Sequence, residues 1–190
     1  MTPNTDKCWR FIDGWLDAAE KLPSPNCGRR PPMQQVESVI IHNISLPPGE
    51  YGSTAIVDFF QNRLDPDAHP YFREIAHLTV SAHFLIRRDG RVLQFVSTDD
   101  MAWHAGVSSY GERTAFNHFS VGIELEGCDH GPFTDEQYVN LNSLVLALRR
   151  QYSAIQSDLI LGHSDIAPGR KTDPGPFFDW QRLQKATIEG

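Results

Sequence analysis

The chain has 190 residues, 40% hydrophobic and 22% charged, which predicts one folded domain and excludes wholesale disorder. Seventeen Lys and Arg against 24 Asp and Glu leave a formal charge of −7, a poor match to nucleic-acid phosphates or anionic lipid. No apolar run reaches the roughly 18 residues of a membrane span, so no membrane partner is expected.

Asp6, Lys7, Arg10, Asp13, Asp17 and Glu20 interrupt the N-terminal stretch, so no secretory leader is expected there. Residues 11–22 read as a weakly amphipathic helix, ended by the turn-rich SPNCGRRPP. VESVIIH (36–42) reads as a buried strand stopped by Pro47, Pro48 and Gly49. Residues 53–64 suit a helix capped by Ser53, and DPDAHP after it a loop. Val80–Ile86 and Arg91–Val96 flank Asp89-Gly90, the chemistry of a hairpin turn. An irregular segment, 97–118, precedes a strand over 119–126. Thr134 with Gln137 forms a capping box, after which Tyr138, Leu141, Val145, Leu148 and Tyr152 recur at helical spacing. DLILGH (158–163) is a short strand, and a Pro/Gly-rich loop spans 167–176. The pattern predicts an α/β domain with a mixed central sheet flanked by helices.

Cys8, Cys27 and Cys128 are odd in number and form no C-x-x-C. They predict idle thiols in a reducing compartment, hence a cytoplasmic protein. The reactive stock is therefore the eight histidines. His42 ends the run Val39-Ile40-Ile41, and His163 ends Leu159-Ile160-Leu161-Gly162. Both occupy strand-to-loop junctions, where α/β sheets place their sites. Asp173 follows in a loop stiffened by Pro174 and Pro176. Two imidazoles and a carboxylate suit Zn²⁺ with a fourth position left for water. The spacing alone does not separate this set from two ordinary strand-end histidines and a loop aspartate. In Val121-Gly122-Ile123-Glu124-Leu125-Glu126 the apolar residues face one way and both glutamates the other. Either is a candidate general base, and periodicity does not choose between them. Lys171 is a candidate cation or one more surface lysine. His83, within a strand, reads as a hydrogen-bonded core residue. His104 is a possible pocket residue, and His69, His77, His118 and His130 carry no pattern.

Taken together, VIIHNISLPPGEYG (39–52), DPDAHPYF (65–72), VSAHFLIRRDG (80–90), AWHAGVSSY (102–110), SVGIELEG (120–127) and GHSDIAPGRKTDPGPFFDW (162–180) resemble zinc-dependent N-acetylmuramoyl-L-alanine amidases. The resemblance runs in order over nearly the whole chain. It is strongest to the cytoplasmic branch of cell-wall recycling that acts on 1,6-anhydro muropeptides. It implies a single domain over 1–190 with the mixed sheet shared by peptidoglycan-recognition proteins. It further implies zinc on His42, His163 and Asp173, Glu124 as catalytic carboxylate, and Lys171 as the cation near the reacting carbonyl. Asn43, Tyr71 and Trp103 fall where the family lines its substrate groove. The implied partner is a small muropeptide, with no obligatory protein partner. Thr79 and Ala115 stand where the family often carries arginine, and Arg73 or Arg113 are candidate replacements. Two other readings are a binding module that has lost catalysis and a zinc peptidase cutting within the stem peptide. The first should lack a ligand or the carboxylate, yet all five residues are present.

Overall fold

The computed structural model describes residues 9–183, leaving Cys8 outside the described residues. In chain order the elements are β1 (Phe11–Ile12), β2 (Trp15–Leu16), β3 (Glu20–Lys21), β4 (Cys27–Arg29), β5 (Ser38–Ile44), α1 (Ala55–Phe60) and α2 (Pro70–Ile75). There follow β6 (Phe84–Ile86), β7 (Val92–Gln94), β8 (Asp100–Ala102), β9 (Ser109–Tyr110), β10 (Arg113–Thr114), β11 (Ser120–Glu126), α3 (Asp135–Gln151), β12 (Ile160–Gly162) and α4 (His163–Ile166). The main sheet has six strands in the order β12-β5-β11-β6-β7-β3. Its first four strands run parallel, while β7 is antiparallel to β6 and parallel to β3. This is the mixed sheet expected.

Alternation along the central strands sorts the two faces. Val39 and Ile41 of β5 and Val121, Ile123 and Leu125 of β11 pack with Leu141, Leu144, Val145 and Leu148 of α3. Burying side chains of this size contributes about 1.5–3 kcal/mol each relative to exposure. The helix starts where expected: Thr134 Oγ1 accepts from Gln137 N–H at 3.2 Å, and Gln137 Oε1 accepts from Thr134 N–H at 3.0 Å. Gln137 also donates to the carbonyls of Ile86 and Glu126, both at 3.0 Å, tying the helix to the ends of β6 and β11. The opposite face is covered at one side by Phe59 and Phe60 of α1 and Phe72 of α2. At the other side, Ile40 packs with Phe116, Phe119 and Ile166.

Several local expectations are corrected. Residues 11–22 are not a helix but short strands: β1 pairs antiparallel with β2 around Asp13 (φ 52°) and Gly14 (φ 73°). Two successive positive φ values are those of a type I′ turn, and Asp-Gly is the dipeptide that favours one. Local turn chemistry overrides a weak helical pattern here. The helix predicted over 53–64 is shorter and has Thr54 at its cap with no side-chain bond, while Ser53 Oγ accepts from Ala55 N–H at 3.3 Å. Asn62, at φ 57°, lies just past its end. The loop at 65–69 gives way to α2, whose first residue is Pro70 and whose cap is His69, with Nδ1 accepting from Tyr71 N–H. The segment 97–118 is less irregular than expected, since β8 pairs with β4 and β9 with β10. Finally, His163 opens α4 rather than closing a strand. The Asp89-Gly90 turn forms as read, with Gly90 at φ 85°, but its strands are shorter than the expected 80–86 and 91–96, and His83 falls just before β6 rather than within a strand.

Candidate metal centre and active-site cleft

Strand register assembles the site. In parallel β5 and β11, Glu124 lies directly beside His42. In parallel β12 and β5, Gly162 lies beside Ile41, so His163 follows at the position next to His42. Asp173 arrives from the loop after α4, its carbonyl accepting from Ser164 N–H at 2.9 Å. The result is a triangle: His42 Nδ1 and His163 Nδ1 are 3.0 Å apart, and each is 3.0 Å from Asp173 Oδ2. Tetrahedral zinc, with bonds of about 2.0–2.2 Å, places its donors roughly 3.3 Å from one another. The chemistry of the donor set and its spacing fit that ion, and both imidazoles are buried. The carbonyl of Ala105, 3.3 Å from His163 Nε2, accepts a hydrogen bond from Nε2–H, the tautomer that leaves the Nδ1 lone pair free for a metal.

Burial makes the His42 imidazole reluctant to protonate, lowering its pKa to about 4, although a proton added at Nδ1 would gain a hydrogen bond to Asp173. Burial opposes ionisation of Asp173 too, but hydrogen bonding and charge from the rings of His163 and His42, available whenever a ring carries a proton on Nδ1 in the metal-free site, more than offset it and hold the carboxyl well below its usual range. Both groups are thus kept in the metal-binding protonation state.

Beside the triangle, the cleft has a volume of about 540 Å³. Glu124, Lys171, Asn43, Tyr71 and Trp103 all line it, together with His104 and His130. Glu124 Oε2 is buried with no hydrogen-bond partner among the described residues. Its pKa is raised well above the ordinary carboxyl value, first by burial and then by the charge of Asp173, with Lys171 pulling the other way. Asn43 is committed structurally, donating from Nδ2 to Asp129 Oδ1 at 2.7 Å and to the Pro174 carbonyl at 3.1 Å. His83 is a core residue as read: its Nδ1 accepts from Gly122 N–H at 3.0 Å. His130 carries no sequence pattern, and Asp129 is a cleft residue that the sequence reading missed. Their position just beyond the C-terminal end of β11 is the available signal, by the same strand-end rule that singled out His42. Cys27 and Cys128 are free thiols, Cys128 on the cleft wall.

A family model described as N-acetylmuramoyl-L-alanine amidase matches residues 32–176. The chain belongs to that family. A 1,6-anhydro-N-acetylmuramyl-L-alanine amidase AmpD from Enterobacter cloacae is 55% identical over 171 residues, 90% of this chain and 91% of the relative. A crystal structure of a selenomethionine AmpD derivative superposes with a TM-score of 0.90 at 52% identity, covering 93% of this chain and 98% of that one. The AmiD amidase of E. coli, solved with anhydro-N-acetylmuramic acid-L-Ala-D-γ-Glu-L-Lys, is 25% identical with a TM-score of 0.60, covering 95% of this chain and 66% of that one.

Within this amidase the two glutamates of β11 part ways. Glu126 Oε1 accepts from Arg87 Nη1 at 2.8 Å and from Gly52 N–H at 2.7 Å, and Oε2 from Arg88 N–H at 3.1 Å. With Arg87 and Glu126 side chains only 7% and 2% exposed, Glu126→Ala leaves a buried guanidinium uncompensated. That variant should lose about 3–5 kcal/mol of stability in urea titrations while still binding zinc. Arg73 and Arg113, the candidate replacements, each form an ion pair away from the cleft lining. Arg73 pairs with Asp67, and Arg113 pairs with Glu37 and stacks on Phe119.

The buried imidazoles also set an acid limit on the metal-free fold. Burial lowers the pKa of His42, His83 and His104, the last two well below the usual histidine value. As pH falls below about 6.5 the unfolded chain takes up these protons and the native state does not, so stability falls. Glu124 acts in the opposite sense, because its raised pKa lets the folded protein hold a proton that the unfolded chain has released. Three groups against one leave stability falling as the pH drops from 7 toward 5.5. Urea titrations of chelated protein at pH 7 and pH 5.5 should show this loss, and equal midpoints would refute it.

Proposed function

We propose that the chain is a zinc hydrolase of cytoplasmic cell-wall recycling. It cleaves the amide between 1,6-anhydro-N-acetylmuramic acid and the L-alanine of the stem peptide, with residues 1–190 acting as one domain. The observation that carries the metal assignment is the triangle of donors from His42, His163 and Asp173. The substrate assignment rests on the names of the relatives and on the anhydromuramyl peptide bound by AmiD.

Zinc, when bound, supplies water that ionises near neutral pH and a Lewis acid for the amide carbonyl. The remaining work falls to this chain. Glu124 takes the proton of the attacking water on Oε2, which has no hydrogen-bond partner among the described residues, and returns it to the nitrogen of the leaving L-alanine. Lys171 faces the same cleft and stabilises the negative charge that develops on the carbonyl oxygen. Tyr71 and Trp103 offer aromatic walls to the sugar and lactyl groups. The water's oxygen ends on the lactyl carbonyl carbon as a carboxylate, the C–N bond breaks, and the water's second proton goes to the freed amine, which leaves as the ammonium of the stem peptide's L-alanine. With a net charge of −7, the protein needs such local cations to hold an anionic muropeptide.

Incubation with one defined anhydromuropeptide, followed by mass analysis, tests the reading. Free anhydromuramic acid and an intact stem peptide are expected. Fragments cut within the peptide identify a peptidase instead, and binding without any product identifies a non-catalytic module.

A further inference from the structure

Both imidazoles of the donor triangle are backed by one short loop segment, His104-Ala105. Asn117 Oδ1 clamps that segment by accepting from both backbone N–H groups, at 3.1 and 2.8 Å. Ala105 serves His163 through its carbonyl. His104 serves His42 through its ring, its Nδ1 standing 3.0 Å from His42 Nε2. The far side of the His104 ring decides which partner donates. Ser120 Oγ donates to the Phe116 carbonyl at 2.5 Å, so at its 3.2 Å contact with His104 Nε2 it can only accept. His104 therefore carries its proton on Nε2 and offers a lone pair on Nδ1. His42 must then donate from Nε2, which leaves its Nδ1 lone pair aimed at the triangle. The backbone is shaped for this ring: a Cβ on Gly122 would lie 2.4 Å from His104 Cγ.

We propose that His104 is a positioning residue for zinc, holding His42 in the Nε2–H tautomer, and that Ser120 sets the direction of the relay. The inference rests on the zinc reading of the triangle and goes one residue further out. A hydrogen-bond partner behind a metal-bound histidine typically contributes about 10–100-fold in metal affinity.

The test is zinc affinity by chelator competition in the purified full chain, with imidazole ¹⁵N spectra of the zinc-free protein. His104→Leu removes the acceptor and should weaken zinc binding by about 10–100-fold. His104→Asn keeps an acceptor oxygen near the Nδ1 position and should recover most of that loss, which a purely space-filling role for the ring does not allow. Ser120→Ala, a change of one atom that spares the ring if the leucine variant fails to fold, should mix the tautomers of His104 and His42 and weaken zinc about 10-fold. The wild-type spectrum should show His42 protonated at Nε2. Protonation at Nδ1, or Leu and Asn variants that bind zinc equally, overturns the relay. A wild-type protein that binds no zinc overturns the reading of the triangle itself.

Discussion

Glu124→Gln should lower kcat by about 10²–10⁴-fold while the protein keeps its full complement of zinc. Glutamine has nearly the same shape, so the packing of β11 survives. What is lost is a carboxylate that can accept a proton and give it back. The side chain stands outside the donor triangle, and its Oε2 has no partner among the described residues, so no structural bond is broken. Removing the carboxyl also removes a group that burial makes costly to ionise, and the variant should be at least as stable as wild type near pH 7. Initial rates on a defined anhydromuropeptide, paired with metal analysis of the same sample, check both halves. Loss of zinc from the variant would make Glu124 a ligand and end its assignment as base.

Chelation should abolish turnover altogether and lower the melting temperature by roughly 10 °C. The donors belong to β5, the start of α4 and the loop beyond it, three segments that a bound ion ties together at one point. A ligand that binds only the native state at 1,000 times its dissociation constant stabilises by about 4 kcal/mol. For a domain of this size that corresponds to several degrees per kcal/mol. Calorimetry before and after EDTA, then after added zinc, should show a reversible shift. A stripped protein with full activity would exclude the metal from the mechanism.

How far the amino-acid sequence speaks depends on the length over which its signals act. The helix Asp135–Gln151 was legible because its cap, its apolar spacing and its buried face all agree. The hairpin at Asp89-Gly90 was legible because the turn residues demand their own geometry. Asp13-Gly14 carries the same demand, and there a faint 3.6-residue pattern concealed it. The helix opened by Pro70 went unread because it is only six residues long and is capped by histidine, an uncommon residue at that position. Two strand-end histidines and an aspartate were legible as a possible donor set from residue type alone, and long ordered motifs marked the family.

By itself, then, the chain determined its strongest local elements, the mixed α/β architecture and the kind of chemistry its side chains can offer. Only the tertiary structure decided which of those side chains meet. Strand register brings His42, His163 and Glu124 side by side, although residues 42 and 163 lie far apart in the chain. Likewise Glu124 and Glu126 share a face and a period, and the choice between them falls to Arg87, which claims one and leaves the other unpartnered among the described residues. The reason is physical: alternation tells which side of a sheet a residue faces, whereas its protonation and partners depend on what distant segments fold against that side.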